Sequence, residues 1–390
     1  MSKYKISFWN YEKIGAIAPE KAAADWLDGG FNLAMTFEFR AGRDNPAKMI
    51  RLLDECEKRG IQAIVCDSRT KYHHYAEVGR EKFLADVKET VKEFGAHPAV
   101  FGFHVGDEPN GQYWEAAIDA FRIVREESHG KKAFVNMFSS WITPECPSVI
   151  GTPLEEYEDK AVDFVKRSGA DIVSFDCYSQ CMYTDGDFEQ DEFLRNLHMF
   201  ANVAKRTGAK LYASLLSVGH WNYRVPNQDD IRWQLNMAAA HGITGMFWFY
   251  LYQRLIEENY RGGPINLFGE RTEMFSAISY QNRLFMKFYA PRLEEYEADE
   301  ISYFRRTYGG YPKFTGDKEL KVIETLVNNE SVCVTRWKND KGQVKYTLVN
   351  AGRKLPTRLR VEFEGELSKN NGSYWFAPGQ MIIFDEQGVQ

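Results

Sequence analysis

Val100-Phe101-Gly102-Phe103-His104-Val105-Gly106-Asp107-Glu108-Pro109 joins a run of apolar and small residues to two adjacent acids and a proline. The run Val100–Gly106 does not alternate with polar residues, which is how a strand buried on both faces of a parallel sheet reads. Seven other runs share its character: Tyr4–Asn10, Phe31–Phe39, Ile61–Asp67, Ala133–Phe138, Ile172–Tyr178, Leu211–Leu216 and Gly245–Leu251. Their starts lie roughly 27 to 39 residues apart, the length of one strand-and-helix unit. The intervals read as helices. Phe83, Leu84, Val87, Val91 and Phe94 make one helical stripe stopped by Gly95, Pro19 opens an Ala-rich segment, and Asn227 is placed to cap Gln228–His241. Eight such units predict a closed (β/α)₈ barrel over residues 1–293.

The pattern changes after Leu293. Short alternating runs, Lys321–Leu326, Ser331–Trp337, Val344–Leu348, Arg358–Phe363 and Met381–Phe384, are separated by turn signals such as Asn371-Gly372 and Pro378-Gly379. Residues 294–390 are therefore expected to form a small antiparallel β-sandwich that packs against the barrel.

Composition bounds the function. The 390 residues are 44% hydrophobic and carry 49 basic and 55 acidic side chains, a net charge of −6 without a long basic run, which argues against a nucleic-acid surface. No apolar stretch approaches the roughly 18 residues of a membrane span. The start lacks the apolar core of a secretory signal, and the six cysteines are scattered, so a reduced, cytoplasmic protein is the expectation. The loop Asn10–Ala18 holds a single glycine and shows no dinucleotide fingerprint, and no paired Cys or His spacing marks a metal site; no cofactor is expected.

Catalytic groups of such barrels lie where the strands end. Those ends supply Trp9 and Asn10, Glu38, Asp67, Asp107 and Glu108, Asn136 and Trp141, Asp176 and Tyr178, His220 and Trp221, and finally Trp248 and Tyr250. Acids, amides and aromatics with few cations suit a neutral polyhydroxylated ligand. Two adjacent acids repel each other and lose hydration, which makes a purely structural role for Asp107 and Glu108 a poor explanation. Pro109 is expected to hold Glu108 extended at the strand mouth, where a carboxyl among aromatics can keep its proton and serve as a general acid.

With Phe175-Asp176-Cys177-Tyr178 on the sixth run and Trp248 on the eighth, the chain resembles the clan A glycoside hydrolases. Within them it looks most like a β-galactosidase-like branch of bacterial glycosidase barrels. The resemblance extends through Ile265–Glu273 and Gln281-Asn282 to the terminal β domain. It implies that Glu108 is the acid/base, that Asp107 stands where the clan has an Asn contacting the sugar 2-hydroxyl, and that Trp248 floors the subsite at the cleaved bond. The clan's nucleophile is a Glu ending strand 7. Here Leu211–His220 contains no carboxylate. Three readings stay open: a glycosidase whose second carboxylate is Asp176, with Glu38 or Asp67 as alternatives, acting on water with inversion; a non-catalytic carbohydrate-binding barrel; and a metal-dependent sugar isomerase using His73, His104 or His220 with Glu38 and Asp176.

Overall fold

The computed structural model describes residues 2–184, 186–254 and 259–389. Eight parallel strands form the barrel: β1 (Lys5–Phe8), β2 (Leu33–Met35), β3 (Gln62–Val65), β4 (Val100–Asp107), β5 (Lys132–Met137), β6 (Ile172–Asp176), β7 (Lys210–Leu216) and β8 (Gly245–Phe249). From β2 to β8 each strand pairs with the next in sequence, and β8 returns to β1 with Lys5 opposite Gly245. Between β1 and β2 a side chain completes the closure. Asn32 accepts from the Ile6 N–H at 2.8 Å and donates to the Tyr4 carbonyl at 2.9 Å.

Alternation along each strand sorts side chains between two cores. Leu33, Met35, Ile64, Phe134, Ile172, Tyr212 and Phe247 fill the lumen, whereas Ile6, Phe8, Val65, Phe103, Val173 and Trp248 face the helices. The helices include α1 (Pro19–Asp28), α2 (Pro46–Lys58), α3 (Tyr72–Thr90), α4 (Trp114–Glu127), α5 (Cys146–Ile150), α6 (Tyr157–Ser168), α7 (Asp187–Thr207), α8 (Gln228–Ala240) and α9 (Glu273–Leu284). Asn227 and Asp230 cap α8 reciprocally, each side chain accepting the other's backbone N–H at 3.0 and 2.8 Å. Among the described residues no helix is long and apolar enough to cross a membrane.

The sandwich joins a sheet ordered β10-β13-β14 to one ordered β16-β15-β12-β11-β9. Its strands are β9 (Glu297–Phe304), β10 (Leu320–Val327), β11 (Val332–Lys338), β12 (Val344–Asn350), β13 (Thr357–Phe363), β14 (Gly372–Phe376), β15 (Met381–Asp385) and β16 (Gly388–Val389). Three of these, β9, β14 and β16, were not expected from the alternation. All three lie at sheet edges, where one side stays wet and charged residues such as Glu297, Asp299 and Glu300 are tolerated.

Helix α8 is the seam between the two parts. The Trp233 indole donates to the Ala351 carbonyl at 2.9 Å, the Asn236 amide to the Gly379 carbonyl at 2.9 Å, and Thr335 to the Ala240 carbonyl at 2.7 Å. The Gly379 backbone (φ +66°) presses on Trp233 so closely that a Cβ there would lie 2.3 Å from the Trp233 Cα. Only glycine fits that approach.

Candidate active site

The end of β4 is bent toward the barrel mouth. A register shift against β5 falls between His104 and Gly106, and the Tyr72 ring packs on Gly106 where a Cβ would sit 2.2 Å away. The Tyr72 hydroxyl donates to the Asp107 carbonyl at 2.7 Å, and the Glu108 N–H donates to the Asn136 carbonyl at 2.8 Å. Held from both sides, Glu108 takes φ +44°. The extended conformation expected from Pro109 is not the one adopted. A non-glycine residue in the left-handed region is strained, and such strain persists only where surrounding contacts impose it.

The bend brings side chains from three adjacent strands together. The Asn136 amide donates to Asp107 at 3.3 Å and to Asp176 at 3.1 Å, while its carbonyl accepts from the Ser174 hydroxyl at 2.9 Å. Ser174 thus fixes which way the amide points, so that one NH₂ group bridges two carboxylates. Glu108 and Asp176 act directly on each other's protonation, Asp176 favouring the protonated form of Glu108. All three acids hold protons more tightly than usual. Desolvation pushes Glu108 well above its ordinary range, with the charges of Asp176 and Asp107 adding to it. Desolvation likewise raises Asp176 to about 6, and desolvation with the Asp176 charge raises Asp107 to about 7. Beside them the buried Tyr178 hydroxyl acts on Asp176, partly offsetting the rise in its proton affinity.

Of the residues expected at the site, Asp107, Glu108, Asn136, Asp176 and Tyr178 converge. Glu38 lies at the rim, ion-paired with Arg40 at 2.8 Å. Trp141 is half-buried, and Trp221 is 60% exposed beside His220, with ring centroids 5.1 Å apart. His220 itself is buried, stacked on Tyr260 and packed against Phe249.

Five expectations change. Asp67 is fully buried in a two-pronged pair with Arg69 (3.1 and 2.8 Å) and caps the turn Ser68–Thr70, so no lone pair faces a sugar. Asn10 is spent on the Met35 carbonyl and the Glu12 N–H. The Tyr250 hydroxyl is buried and accepts from the Arg254 N–H at 2.9 Å. Trp9 is 2% exposed, covered by Tyr11 with the rings 6.2 Å apart and nearly parallel.

Trp248 points away from the mouth. It lies on the helix-facing parity of β8 and donates to Asn282 of α9 at 3.0 Å; Phe249 takes the inward position. Trp248→Ala should therefore cost about 3–5 kcal/mol of stability by leaving a large cavity. Thermal unfolding reads this, and weaker sugar binding in a fully stable variant would contradict the placement.

Tyr11 and Lys71 escaped sequence reasoning, and His104 entered it only as a metal ligand of the isomerase reading. Tyr11 shares the parity of Trp9, and its hydroxyl feels Asp107, Asp176 and Glu108. Lys71, just before α3, donates to His104 Nδ1. His73, His104 and His220 do not converge with Glu38 and Asp176; among the described residues the donor atoms that do converge belong to Asp54, Glu57 and His97, away from the mouth.

No protein-family model matches the chain, and no curated protein does. Solved structures do. A chain described as a glycoside hydrolase superposes with a TM-score of 0.61 at 12% identity, over 98% of this chain and 93% of its own length. A glycoside hydrolase family 5 protein from Bacteroides vulgatus gives 0.60 at 13%, covering 98% and 90%. The β-galactosidase of the psychrophilic Marinomonas ef1 gives 0.56 at 11%, covering 76% of this chain, which spans 63% of that enzyme's length. At such identities the likeness is one of architecture: the chain has the (β/α)₈-barrel fold of these glycoside hydrolases, followed by a β-sandwich.

Proposed function

We propose that the protein is a glycoside hydrolase in which residues 1–293 form the catalytic barrel and Glu108 protonates the departing glycosidic oxygen. The buried cluster of Asp107, Glu108 and Asp176 at the strand ends, with the Asn136 amide bridging the two aspartates, carries this reading. A carboxylic acid kept protonated near neutral pH is what leaving-group protonation needs. In this reading Asp176 is the positioning residue that holds the proton on Glu108. The remaining negative charge of the acid cluster faces the positive charge that develops on the sugar ring.

The test is release of reducing sugar from a panel of aryl and natural glycosides between pH 5 and 8. Turnover by the wild-type chain supports the reading. A second reading, a sugar-binding barrel without catalysis, is favoured by one observation: β7 runs into Leu216-Ser217 without a carboxylate. Saturable sugar binding with no turnover on any glycoside would select it.

A further inference from the structure

The loop that leaves β12 belongs to the sandwich, yet it reaches the barrel. Asn350, the last residue of β12, pins its base: the side-chain amide donates to the carbonyls of Leu355, Phe376 and Ala377 at 3.0, 3.3 and 3.3 Å, and the side-chain oxygen accepts from the Gly352 N–H at 2.8 Å. The next residue, Ala351, accepts from the barrel, from the Trp233 indole at 2.9 Å and the Gln190 amide at 3.0 Å. Arg353 then reaches across. Its guanidinium donates to the Gln180 carbonyl, to the Gly186 carbonyl at 3.3 Å and to the Gln190 side-chain oxygen at 3.3 Å. Five donors in a fixed plane suit several acceptors on one side better than a point ammonium does.

Gln180 sits in the turn Ser179–Cys181, directly after Asp176, Cys177 and Tyr178. The turn closes on Tyr178 itself, whose carbonyl accepts from the Cys181 N–H at 2.9 Å. Gln180 is 1% exposed, and its amide donates to Gln234 of α8 at 3.0 Å. Gln234 in turn holds both backbone groups of Leu216, the end of β7, at 2.7 and 3.1 Å. The Cys181 carbonyl accepts from the Arg224 N–H at 2.9 Å, and Met182 bridges to Tyr223 in the loop after β7. The Tyr178 ring packs against Phe249 with centroids 5.4 Å apart and meets His220 nearly edge-on at 6.3 Å. One short turn therefore ties the ends of β6 and β7 together, and Arg353 ties that turn to the sandwich.

Adhesion between the two parts does not need this bond, because α8 already joins them through Trp233, Asn236 and Ala240. Arg353 acts instead on loop carbonyls, which no strand ladder satisfies. We infer that Arg353 is a positioning residue for the candidate site: from the sandwich it fixes the Ser179–Cys181 turn, and with it the Asp176–Tyr178 end of β6, so that barrel and sandwich work as one unit. This rests on the glycoside-hydrolase reading and adds a residue to its machinery. Displacing a catalytic stretch by about 1 Å can cost about 10²-fold in rate, so a distant strut can govern turnover.

The experiment compares Arg353→Met with Arg232→Met in the full chain. Arg232 also donates across the seam, to the Pro378 carbonyl at 2.7 Å, but from α8 and not to the turn. Mass spectrometry follows amide hydrogen exchange over Tyr178–Met182 under native conditions, and steady-state kinetics use an aryl glycoside that the wild type hydrolyses. Arg353→Met should speed that exchange roughly tenfold and lower kcat/KM roughly tenfold, with a raised KM. A smaller folded fraction would lower kcat and leave KM alone. Arg232→Met should leave both readouts near wild type. Arg353→Lys, which keeps one donor toward the Gln180 carbonyl, serves with smaller changes in the same direction if the Met variant does not fold. Unchanged exchange, faster exchange with unchanged kinetics, a loss confined to kcat, or equal effects of Arg232→Met overturn the inference and leave the hydrolase reading intact. A wild type that hydrolyses no glycoside ends the hydrolase reading, and exchange alone then decides whether Arg353 holds the turn.

Discussion

Glu108→Gln is expected to slow the hydrolysis of glycosides with poor leaving groups by roughly 10²–10⁴-fold, the usual contribution of a positioned general acid. Glutamine keeps the shape of the side chain and the backbone N–H bond to the Asn136 carbonyl, and it can still donate to Asp176. What it cannot do is give up a proton to oxygen. Aryl glycosides whose leaving group departs unprotonated should therefore suffer much less, and the ratio of kcat/KM between the two substrate types is the measurement. An equal loss on both would point to disrupted binding. An unchanged rate on natural linkages would remove Glu108 from the chemistry.

Asp176→Asn should act through Glu108. The charge of Asp176 helps keep the proton on Glu108, so its removal lowers the Glu108 proton affinity. The basic limb of the pH–rate profile, which reports loss of the acid's proton, should move down by about 1–3 on the pH scale. A limb that stays in place would make Asp176 a sugar ligand alone. Stability should change in the opposite sense from activity. Because the folded chain holds the Asp176 proton more tightly than the unfolded chain, this group favours folding fully below the ordinary carboxylate range. That advantage is lost as pH rises through about 6. The neutral amide avoids the loss and should stabilise the protein by about 1–3 kcal/mol at pH 8, since a tenfold change in proton affinity is worth about 1.4 kcal/mol. Wild type and variant should converge below pH 4. Thermal melts across that range give the result.

The barrel was legible because strands buried on both faces must be apolar throughout, and eight such runs recur at one spacing. The ends were less sharp. The run Phe31–Phe39 holds the three-residue strand β2, and the rest of it, including Glu38 and Phe39, makes isolated bridges at the mouth. Edge strands β9 and β14 were hidden because their outer sides carry polar residues that blur the alternation.

Within the site, position along the chain placed Asp107, Glu108, Asn136 and Asp176 at strand ends, and period two put Tyr178 on the side of Asp176. The same parity rule applied to β8 separates Trp248 from Phe247 and Phe249, a distinction the resemblance alone did not make. Burial of Asp67 by Arg69 and the bond from Lys71 to His104 arise from side chains folding back from a turn. No spacing in the sequence encodes either. The left-handed turn at Glu108 is likewise a tertiary product, imposed by Tyr72 and Asn136 against the local preference of a residue before proline.

The proposed chemistry turns on where the Glu108 proton is. Carbon-13 NMR of labelled glutamate side chains, with the Glu108 resonance assigned by its absence in Glu108→Gln, follows that carboxyl from pH 3 to 9. The expected result is a Glu108 carboxyl that titrates well above the ordinary range and moves down when Asp176 is replaced by Asn. A Glu108 carboxyl that titrates near the ordinary glutamate value of about 4.3, indifferent to Asp176, would contradict it.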